Sequence, residues 1–392
     1  MVTKPSLSTS FHPNTPHHTS STASSVDMTR YSLSWAELAG LVTTIIKMPL
    51  AITWDLIGTA LKQKRISGIS KPVVVRALRR LNETATISQL QLLAGDSREV
   101  YESWAARQRL DTTIEDLVDE TYLYWIGPKR RDKVVLYVPG GGFFAPLTDS
   151  ALSFWNYTRV QLKGNHGLDA GFVALHYSLL PGASFPTQLR QLAVAIDHLV
   201  ATGTHARNIF LVGDSAGGNL ILQLLSQLLH PMEQIGPISK LSEPCGGVYL
   251  MSPWVTFESI SSSYTQTRSD DFVNGKSLTE WSKLYTGAVA DSQKAYIEFL
   301  KSSTSWFQGV STFAGRFLVS VGGEERFRDD VVEFVESRLA KVCPDVQLEI
   351  QEGGVHNDPY YDFMAWDRPT LVSSLSPVII SWLKDGLKKS VD

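Results

Sequence analysis

The feature that most constrains the fold of this chain is the alternation of short apolar runs with amphipathic stretches. Most of the runs are continuously apolar rather than alternating, which is typical of strands that are buried on both faces of a sheet. The stretches 189–201, 219–229 and 331–340 carry apolar residues at three- and four-residue spacing, which predicts helices. Strand, helix and strand in repetition predict a mostly parallel sheet with helices on both faces, an α/β fold. The predicted strands are 121–126, 134–138, 172–175, 209–212, 248–251, 317–320 and 346–350.

The segment Gly-Asp-Ser-Ala-Gly at 213–217 is the strongest chemical signal in the chain. The pattern Gly-x-Ser-x-Gly occurs by chance in many proteins, but here it lies directly between a predicted strand and a predicted helix, which is the context of a nucleophile elbow. The turn from strand to helix is sharp, so small residues must flank Ser215 to avoid clashes. The hydroxyl then lies near the positive end of the following helix, where a developing anion is stabilised. We therefore expect Ser215 to be a nucleophile.

Three consecutive glycines lie at another strand end, in the segment Tyr-Val-Pro-Gly-Gly-Gly-Phe-Phe at 137–144. Glycine has no Cβ, so the backbone can turn several amides toward one point, although such a triplet can also be a plain tight turn. Acyl transfer requires such an array because charge collects on the carbonyl oxygen of the tetrahedral intermediate. The position, well before the elbow, is that of the oxyanion loop in lipases and esterases. The expected donors are the amides of Gly141, Gly142 and Ala216.

A serine hydroxyl is a poor nucleophile at neutral pH, so a base must accept its proton. Of the nine histidines, His356 follows the last predicted strand, which places it at the same sheet edge as Ser215. A carboxylate in the loop after the penultimate strand should orient the imidazole. Glu325 and Asp329 are the candidates there, and either gives the chain order of serine, acid and histidine that is expected for this kind of site.

Taken together, these segments resemble the hormone-sensitive-lipase-like group of α/β-hydrolases, which includes microbial carboxylesterases, arylacetamide-deacetylase-like enzymes and fungal steryl acetyl hydrolases. The group's His-Gly-Gly-Gly motif corresponds to 139–142, its Tyr-x-Leu-x-Pro-x-x-x-Phe-Pro segment to 177–186 and its elbow to 213–219. There are two departures: Pro139 stands in place of the motif's histidine, and His176 stands in place of an aspartate. Neither departure removes a group that the chemistry needs.

The resemblance also implies roles for individual residues and regions. Its acidic segment, Asp-x-Leu-x-Asp, corresponds to 325–329, which makes Glu325 the catalytic acid and Asp329 a supporting residue, while His356 matches the catalytic histidine. Members of the group carry a helical cap, which the resemblance places at 31–116 and at 259–308, around a catalytic domain at 117–390. Aromatic residues near the rim suggest an apolar acyl or alcohol pocket. The candidate substrate-binding residues are Phe143, Phe144 and Trp254.

The N-terminal part of the chain contains two segments of contrasting composition, one polar and one mostly apolar. Residues 1–30 are rich in Ser, Thr, Pro and His and lack an apolar period, which predicts a disordered leader. Residues 36–57 are mostly apolar, but they reach the roughly 20 residues of a membrane span only by including Lys47, Pro49 and Asp55. Two interpretations stay open, a membrane-associated helix and a helical lid over the site. The expected location is accordingly cytoplasmic or membrane-associated, because no apolar segment close to Met1 suggests a secretory signal.

Composition excludes some classes of function. Apolar residues make up 43% of the 392 residues and the formal net charge is -3, so a large core can form and no strong field favours nucleic acid as a partner. Cys245 and Cys343 are the only cysteines and lack metal-ligand spacing. The expected chemistry on Ser215 implies neither a metal nor an organic cofactor. The expected partner is a small-molecule ester, and the oligomeric state is left open.

The sequence therefore predicts a serine carboxylic-ester hydrolase, an esterase or deacetylase that acts on a moderately hydrophobic ester through an acyl-enzyme on Ser215. Two alternatives use the same fold. The acyl group could pass to an alcohol or amine, or a ring could close, as in an acyltransferase or cyclising enzyme of fungal secondary metabolism. The chain could also be a catalytically inactive small-molecule receptor, but such proteins usually lack part of the triad that is present here.

Overall fold

The computed structural model of the protein describes residues 33–60, 70–236, 238, 243–266, 271–365 and 372–389. The predicted leader at 1–30 lies outside the described residues. Within them, helices surround a single eight-stranded sheet.

All seven predicted strands are present in the sheet, together with one that was not predicted. The strands are β1 (Ile114–Asp116), β2 (Tyr122–Trp125), β3 (Val134–Val138), β4 (Gly171–His176), β5 (Ile209–Asp214), β6 (Gly247–Met251), β7 (Phe317–Gly322) and β8 (Val346–Gln351). Their order is β1-β2-β4-β3-β5-β6-β7-β8. Strand β2 pairs antiparallel with both β1 and β4, and β3 to β8 run parallel to one another. The predicted mostly parallel sheet is confirmed. The unpredicted strand β1 is a three-residue edge strand with two acidic residues, too short and too polar to show an apolar run.

Helices cover both faces of the sheet, as predicted. They are α1 (Trp35–Ala60), α2 (Ser70–Thr84), α3 (Ile87–Ala94), α4 (Ser97–Gln108), α5 (Asp149–His166), α6 (Thr187–Ala201), α7 (Ser215–Leu229), α8 (Ser262–Thr265), α9 (Gly275–Thr286), α10 (Arg328–Phe334), α11 (Asp358–Ala365) and α12 (Leu375–Lys389). The three helices predicted from apolar spacing are α6, α7 and α10. Helix α10 continues into a π-helical turn at Val335–Leu339.

The side chains on the two faces of the sheet form two apolar cores. Successive residues of a strand point to opposite faces, so Leu136 of β3 lies in one core and Tyr137 in the other. Helices α6 and α7 pack into the first core, and α5 and α12 pack into the second. Because β3 to β8 are parallel, their carboxyl ends share one edge of the sheet, and the loops that follow them can meet there.

Helix α4 packs against the sheet although it precedes the boundary predicted at 117. Tyr101 and Trp104 of α4 are fully buried in the second core, and Trp104 Nε1 donates a hydrogen bond to Ser153 Oγ of α5 (3.0 Å). Strand β1 also precedes the predicted boundary and pairs with β2. Aromatic side chains of α4 therefore complete one apolar core of the sheet.

We refer to the remaining N-terminal helices and the insertion at 259–308 as the cap. Helix α1 packs on α2 and α3, and Gln89 of α3 donates to a backbone carbonyl of α1 (2.7 Å). Helix α2 is joined to α11 by an ion pair between Lys71 Nζ and Asp358 Oδ1 (2.6 Å). The predicted insertion at 259–308 contains α8 and α9. Both parts of the cap thus adjoin the loops at the carboxyl edge of the sheet.

Candidate active site

The serine of the Gly-x-Ser-x-Gly motif lies where β5 ends and α7 begins. Ser215 has a φ of 50°, in the left-handed region, where a non-glycine residue carries roughly 1–3 kcal/mol of strain. A Cβ at Gly217 would lie 2.0 Å from the Val138 carbonyl oxygen, and a Cβ at Gly213 would lie 2.7 Å from Ile221. Both glycines are therefore required by close contacts, and the turn holds the serine at the carboxyl edge of the sheet.

The glycine-rich turn after β3 borders the same cavity as the serine. Gly141, Gly142 and Phe143 have φ values of 100°, 59° and 64°. The Ala145 N–H closes the turn by donating to the Gly141 carbonyl (2.8 Å), and a Cβ at Gly142 would lie 2.7 Å from the Phe144 ring. Among the described residues, the N–H groups of Gly141 and Gly142 have no acceptor within the protein. Such amides can donate to an anion that forms in the cavity.

Asp214, directly before the serine, joins three loops of the site. Its Oδ1 accepts hydrogen bonds from Tyr137 Oη (2.7 Å), the Gly140 N–H (3.1 Å) and Tyr360 Oη (3.2 Å), and its Oδ2 accepts from Asn357 Nδ2 (2.7 Å). Burial raises the pKa of Asp214, and the hydrogen bonds from Tyr137 and Gly140 lower it, with a net rise. The carboxylate thereby ties the glycine-rich turn and the loop after β8 to the nucleophile turn.

The two departures from the family motif have structural explanations. Pro139 lacks the histidine side chain of the motif. Tyr177 Oη instead donates a hydrogen bond to the Pro139 carbonyl (2.7 Å) and holds the glycine-rich turn in place. The His176 ring lies against Tyr122 and Tyr124, with ring centroids 5.3 and 5.8 Å away. In both places, neighbouring tyrosines contact the residue that departs from the motif.

His356 lies in the loop between β8 and α11 and is only 3% exposed. Its Nδ1 faces Glu325 Oε1 at 3.5 Å. The Phe327 ring packs edge-on against the imidazole, with centroids 4.9 Å apart. Ser215 and His356 border one cavity, but in this arrangement of the described residues they are not hydrogen-bonded to each other. Catalytic hydrogen bonds of this kind often tighten only when substrate is bound.

Of the two candidate acids, the structure brings Glu325 to the histidine and places Asp329 elsewhere. Glu325 follows β7 and is fully buried. Its Oε2 accepts from Ser252 Oγ (2.7 Å) and from the Gly322 N–H (2.8 Å), which fixes the carboxylate and leaves Oε1 to face the imidazole. Asp329, at the start of α10, accepts instead from a backbone N–H of the cap (2.8 Å).

The pKa of His356 lies above its ordinary value although the residue is buried. Burial lowers the pKa of an imidazole because it disfavours the charged form. The hydrogen bond and the charge of Glu325 raise the pKa of His356, and the charges of Asp271 and Asp214 raise it further, so the net shift is upward. The site therefore favours the imidazolium that forms when the histidine accepts a proton from the serine.

A mainly apolar cavity of about 410 Å³ opens beside Ser215 and His356. Its wall combines residues of the N-terminal cap, the insertion and the sheet loops, whereas α1 contributes none of its described residues. Apolar lining with a few polar groups at one end is typical of small-molecule sites. Residues of the wall include Leu78, Leu90, Val273, Leu278, Trp281 and Tyr361.

Only two of the three candidate substrate-binding residues reach this cavity. Phe144 and Trp254 border it, and the Phe144 ring contacts Trp281 with centroids 5.0 Å apart. Phe143 does not border the cavity, because its ring is fully buried and stacked on Tyr285 with centroids 3.9 Å apart. Consecutive side chains in this turn point in different directions, so one phenylalanine faces the cavity and the other supports the cap.

Sequence reasoning assigned no role to Asp214, Ser252 or Asn357. Ser252 Oγ donates to Glu325 and accepts from the Asn357 N–H (3.3 Å), so it joins the acid to the loop of the histidine. The signal that could have found these residues is their position. Asp214 and Ser252 stand where β5 and β6 end, and Asn357 directly follows His356. Polar residues at such positions meet at one edge of a parallel sheet.

The cysteines take no part in this site. Cys245 and Cys343 are both buried free thiols, and burial raises the pKa of Cys245 to about 12. Within the part of the chain that the structure describes, no group of three or more His, Cys, Asp or Glu side chains could hold a metal ion. The nucleophile available beside His356 is Ser215.

Comparison with known proteins identifies the family of this chain. A sequence model of a family described as the alpha/beta hydrolase fold matches residues 135–358. The Schizosaccharomyces pombe protein mug81 is 25% identical over 250 residues, which are 62% of this chain and 64% of that protein. Steryl acetyl hydrolase 1 of Saccharomyces cerevisiae is 26% identical over 271 residues, which are 63% of this chain and 59% of that protein. The chain thus spans less than two thirds of the length of these relatives.

A solved structure resembles a larger part of the chain than the family model, which matches residues 135–358. An esterase from the bacterial hormone-sensitive lipase family superposes with a TM-score of 0.61 at 23% identity, covering 83% of this chain and 100% of that chain. Arylacetamide deacetylase of Bos taurus is 29% identical over 126 residues, which are 31% of each chain. These similarities confirm the resemblance and the fold that the motifs predicted.

Proposed function

The chain belongs to the α/β-hydrolase fold family, and on that premise we propose that it hydrolyses carboxylic esters with Ser215 as nucleophile, His356 as base and Glu325 as acid. One observation carries the proposal. A serine in a strained strand-to-helix turn and a buried histidine border the same apolar cavity, and a fully buried carboxylate faces the histidine. This is the arrangement of nucleophile, base and orienting acid that acyl transfer requires.

In the first half of the reaction, Ser215 Oγ attacks the ester carbonyl carbon while His356 accepts the hydroxyl proton. The carbonyl oxygen becomes an oxyanion, which the amides of Gly141, Gly142 and Ala216 stabilise. The bond to the leaving alcohol then breaks, and His356 returns the proton to the alcohol oxygen. Water next gives a proton to His356 and attacks the acyl carbon, which releases the carboxylic acid and restores the Ser215 hydroxyl.

The proposed substrate is the ester of a short acyl group with a bulky apolar alcohol. The cavity has a volume of about 410 Å³ and extends from Ser215 to the apolar side chains of α2 and α3. Similar proteins are named steryl acetyl hydrolase and arylacetamide deacetylase, and both names support an acetyl group as the acyl part. Most of the residues that α2 and α3 contribute to the wall are leucines, so the alcohol part would meet mainly apolar side chains.

The test compares ester hydrolysis by the full chain and by Ser215→Ala and His356→Ala. Substrates are p-nitrophenyl acetate, butyrate and octanoate, and the acetate and octanoate esters of a polycyclic alcohol. Ser226→Ala is the matched control, because Ser226 is also buried in α7 but bonds to a helix carbonyl (2.9 Å). The native chain and the control should turn over, and the two active-site variants should lose roughly 10³-fold or more in kcat.

Each other outcome of this test has a definite meaning. If folded native protein hydrolyses no ester, the proposed hydrolysis is wrong. If octanoate esters react faster than acetate esters, the proposed acyl group is wrong while the hydrolase stands. If an added alcohol receives the acyl group in preference to water, the reaction is acyl transfer.

We also propose that α1 attaches the protein to a membrane. By length and composition, Trp35–Trp54 could cross a membrane. Trp35, Ile46, Leu50 and Trp54 are 69–88% exposed, which is a large apolar surface to leave in water. Helix α1 packs on the outside of α2 and α3 and contributes no described residue to the cavity wall, which supports membrane contact over a lid role.

Flotation with phosphatidylcholine vesicles tests this attachment. The double variant Leu50→Glu with Trp54→Glu should stay in solution while the native chain floats, and soluble ester substrates should be hydrolysed at the native rate. The matched control is Val118→Glu with Ile260→Glu, which alters two exposed apolar residues outside α1. Equal flotation of the native chain and the α1 variant would show that α1 is not the attachment.

A further inference from the structure

Asp271 of the cap insertion reaches both loops that carry the proposed base and acid. Its side chain is buried, with 1% of the residue exposed. Oδ1 accepts a hydrogen bond from the His356 backbone N–H (3.3 Å), and Oδ2 accepts from the Arg326 backbone N–H (3.2 Å). Arg326 directly follows Glu325 in the chain. One cap carboxylate therefore holds the backbone beside the acid and the backbone of the base at the same time.

The side chain of Arg326, in the loop after β7, donates hydrogen bonds to carbonyl oxygens of the cap. Its Nε donates to the Val273 carbonyl (3.1 Å), and its Nη1 donates to the Tyr264 carbonyl. Phe272 and Val273, next to Asp271 in the chain, both border the cavity, and the Phe272 ring lies against the catalytic imidazole with centroids 5.6 Å apart. The same short segment thus forms part of the substrate wall and is fixed to the catalytic loops.

Three carboxylates from different elements act on the buried imidazole of His356. Glu325 comes from the loop after β7, Asp214 from the end of β5 and Asp271 from the cap, and the charges of all three raise the pKa of His356. Burial raises the pKa of Asp271 to about 6, with the His356 charge lowering it and the Glu325 charge raising it. The hydrogen bonds that Asp271 accepts from two backbone N–H groups favour its ionised form. Among the described residues, Arg326 and Tyr361 also interact electrostatically with Asp271.

We propose that Asp271 is a positioning residue for ester hydrolysis, which holds the acid and base loops together from the cap and adds a negative charge that stabilises protonated His356. This inference rests on the proposed function of the site. Because Phe272 and Val273 belong to the same segment, the cap must be seated on the catalytic loops for the base to have its full strength. Cap closure and base strength are in this way coupled through one side chain.

The test replaces the charge of Asp271 and follows the pH dependence of kcat/KM. In Asp271→Asn, the acidic limb should move to lower pH by about one unit, the low end of the range for a charge close to a titrating group. The plateau of kcat should fall by about tenfold, since one pKa unit corresponds to that difference in imidazolium stability. Asp271→Ser is a second neutral variant that keeps one acceptor, and Asp271→Glu should keep the acidic limb in its native place.

Asp330→Asn is the matched control. Asp330 is also a buried carboxyl that joins the insertion to the catalytic domain, through a hydrogen bond from Ser259 Oγ (2.7 Å), but it does not contribute to the pKa shift of His356. Its variant should leave the acidic limb unmoved. If Asp271→Asn and Asp271→Ser lose rate while the limb also stays unmoved, Asp271 acts only on structure and the proposal is wrong.

A titration of the His356 imidazole by NMR separates this inference from the proposed function. The resonance is assigned in the full chain by its loss in His356→Gln, and it should titrate at lower pH in Asp271→Asn than in native protein. If the native chain hydrolyses no ester but the resonance moves as expected, the proposed function fails and the effect of Asp271 on His356 stands. If ester hydrolysis stands and the resonance does not move, the role of Asp271 is refuted.

Discussion

Replacing Glu325 by glutamine removes one negative charge from beside His356 and changes the size of the side chain little. The carboxylate is fully buried, and its Oε1 lies 3.5 Å from His356 Nδ1. For charges about 4 Å apart and an effective dielectric constant of about 20, the attraction lost from the imidazolium state is roughly 4 kcal/mol. Since about 1.36 kcal/mol corresponds to a tenfold change in rate, kcat should fall by about 10³-fold. Loss of the correct imidazole orientation adds to this fall.

The assay is the steady-state hydrolysis of p-nitrophenyl butyrate at the plateau of the pH profile, with thermal unfolding as the check on folding. The matched control is Asp329→Asn, because Asp329 is the other candidate acid and lies in the same acidic segment. Its side chain bonds to Arg328 Nε (2.8 Å) and to a cap N–H rather than to the imidazole. A kcat for Glu325→Gln within about tenfold of the native value, or an equal loss in Asp329→Asn, would refute the assignment of Glu325 as the acid.

Three other perturbations probe the rest of the site. Gly142→Ala should reduce kcat/KM by about 10²–10³-fold, because a φ of 59° disfavours alanine and its Cβ would press on the Phe144 ring, and steady-state kinetics would show this. In the native enzyme, kcat/KM should reach half its plateau value above pH 6.5. The reason is that the pKa of His356 is raised from 6.5 and only the neutral imidazole accepts a proton. A midpoint at or below pH 6.5 would contradict this prediction. Tyr177→Phe leaves the Pro139 carbonyl without its buried donor and should lower the free energy of unfolding by about 1–3 kcal/mol, measured by urea denaturation.

The sheet and the reactive residues could be predicted because both follow from local patterns. Short apolar runs, most of them continuous, identified β2 to β8. The position of Ser215 and His356 after two of the predicted strands placed both at one sheet edge. The choice between Glu325 and Asp329 was left open by the residues themselves, because both lie within one short loop. Only the direction of each side chain separates them, and that depends on packing against the cap.

The cap was harder to predict, because its contacts are set by tertiary packing rather than by a periodic pattern. The sequence does not reveal that Phe143 stacks on Tyr285 while Phe144 faces the cavity, since the two residues are adjacent and identical in type. It likewise does not reveal that α4 belongs to the core of the sheet domain. Asp271 stands in a segment without a motif, and only its two hydrogen bonds to distant loops show its importance.

Burial and base strength oppose each other at this site. A dry apolar cavity suits an apolar alcohol, but the same exclusion of water lowers the pKa of His356 and would leave a weak base. The charges of Glu325, Asp271 and Asp214 more than offset that effect. Each of these buried carboxylates accepts a hydrogen bond from a backbone N–H of a catalytic loop, and such bonds favour the ionised form. The bonds that hold the loops in place therefore also maintain the charges, so a substitution that loosens one loop should weaken the base as well.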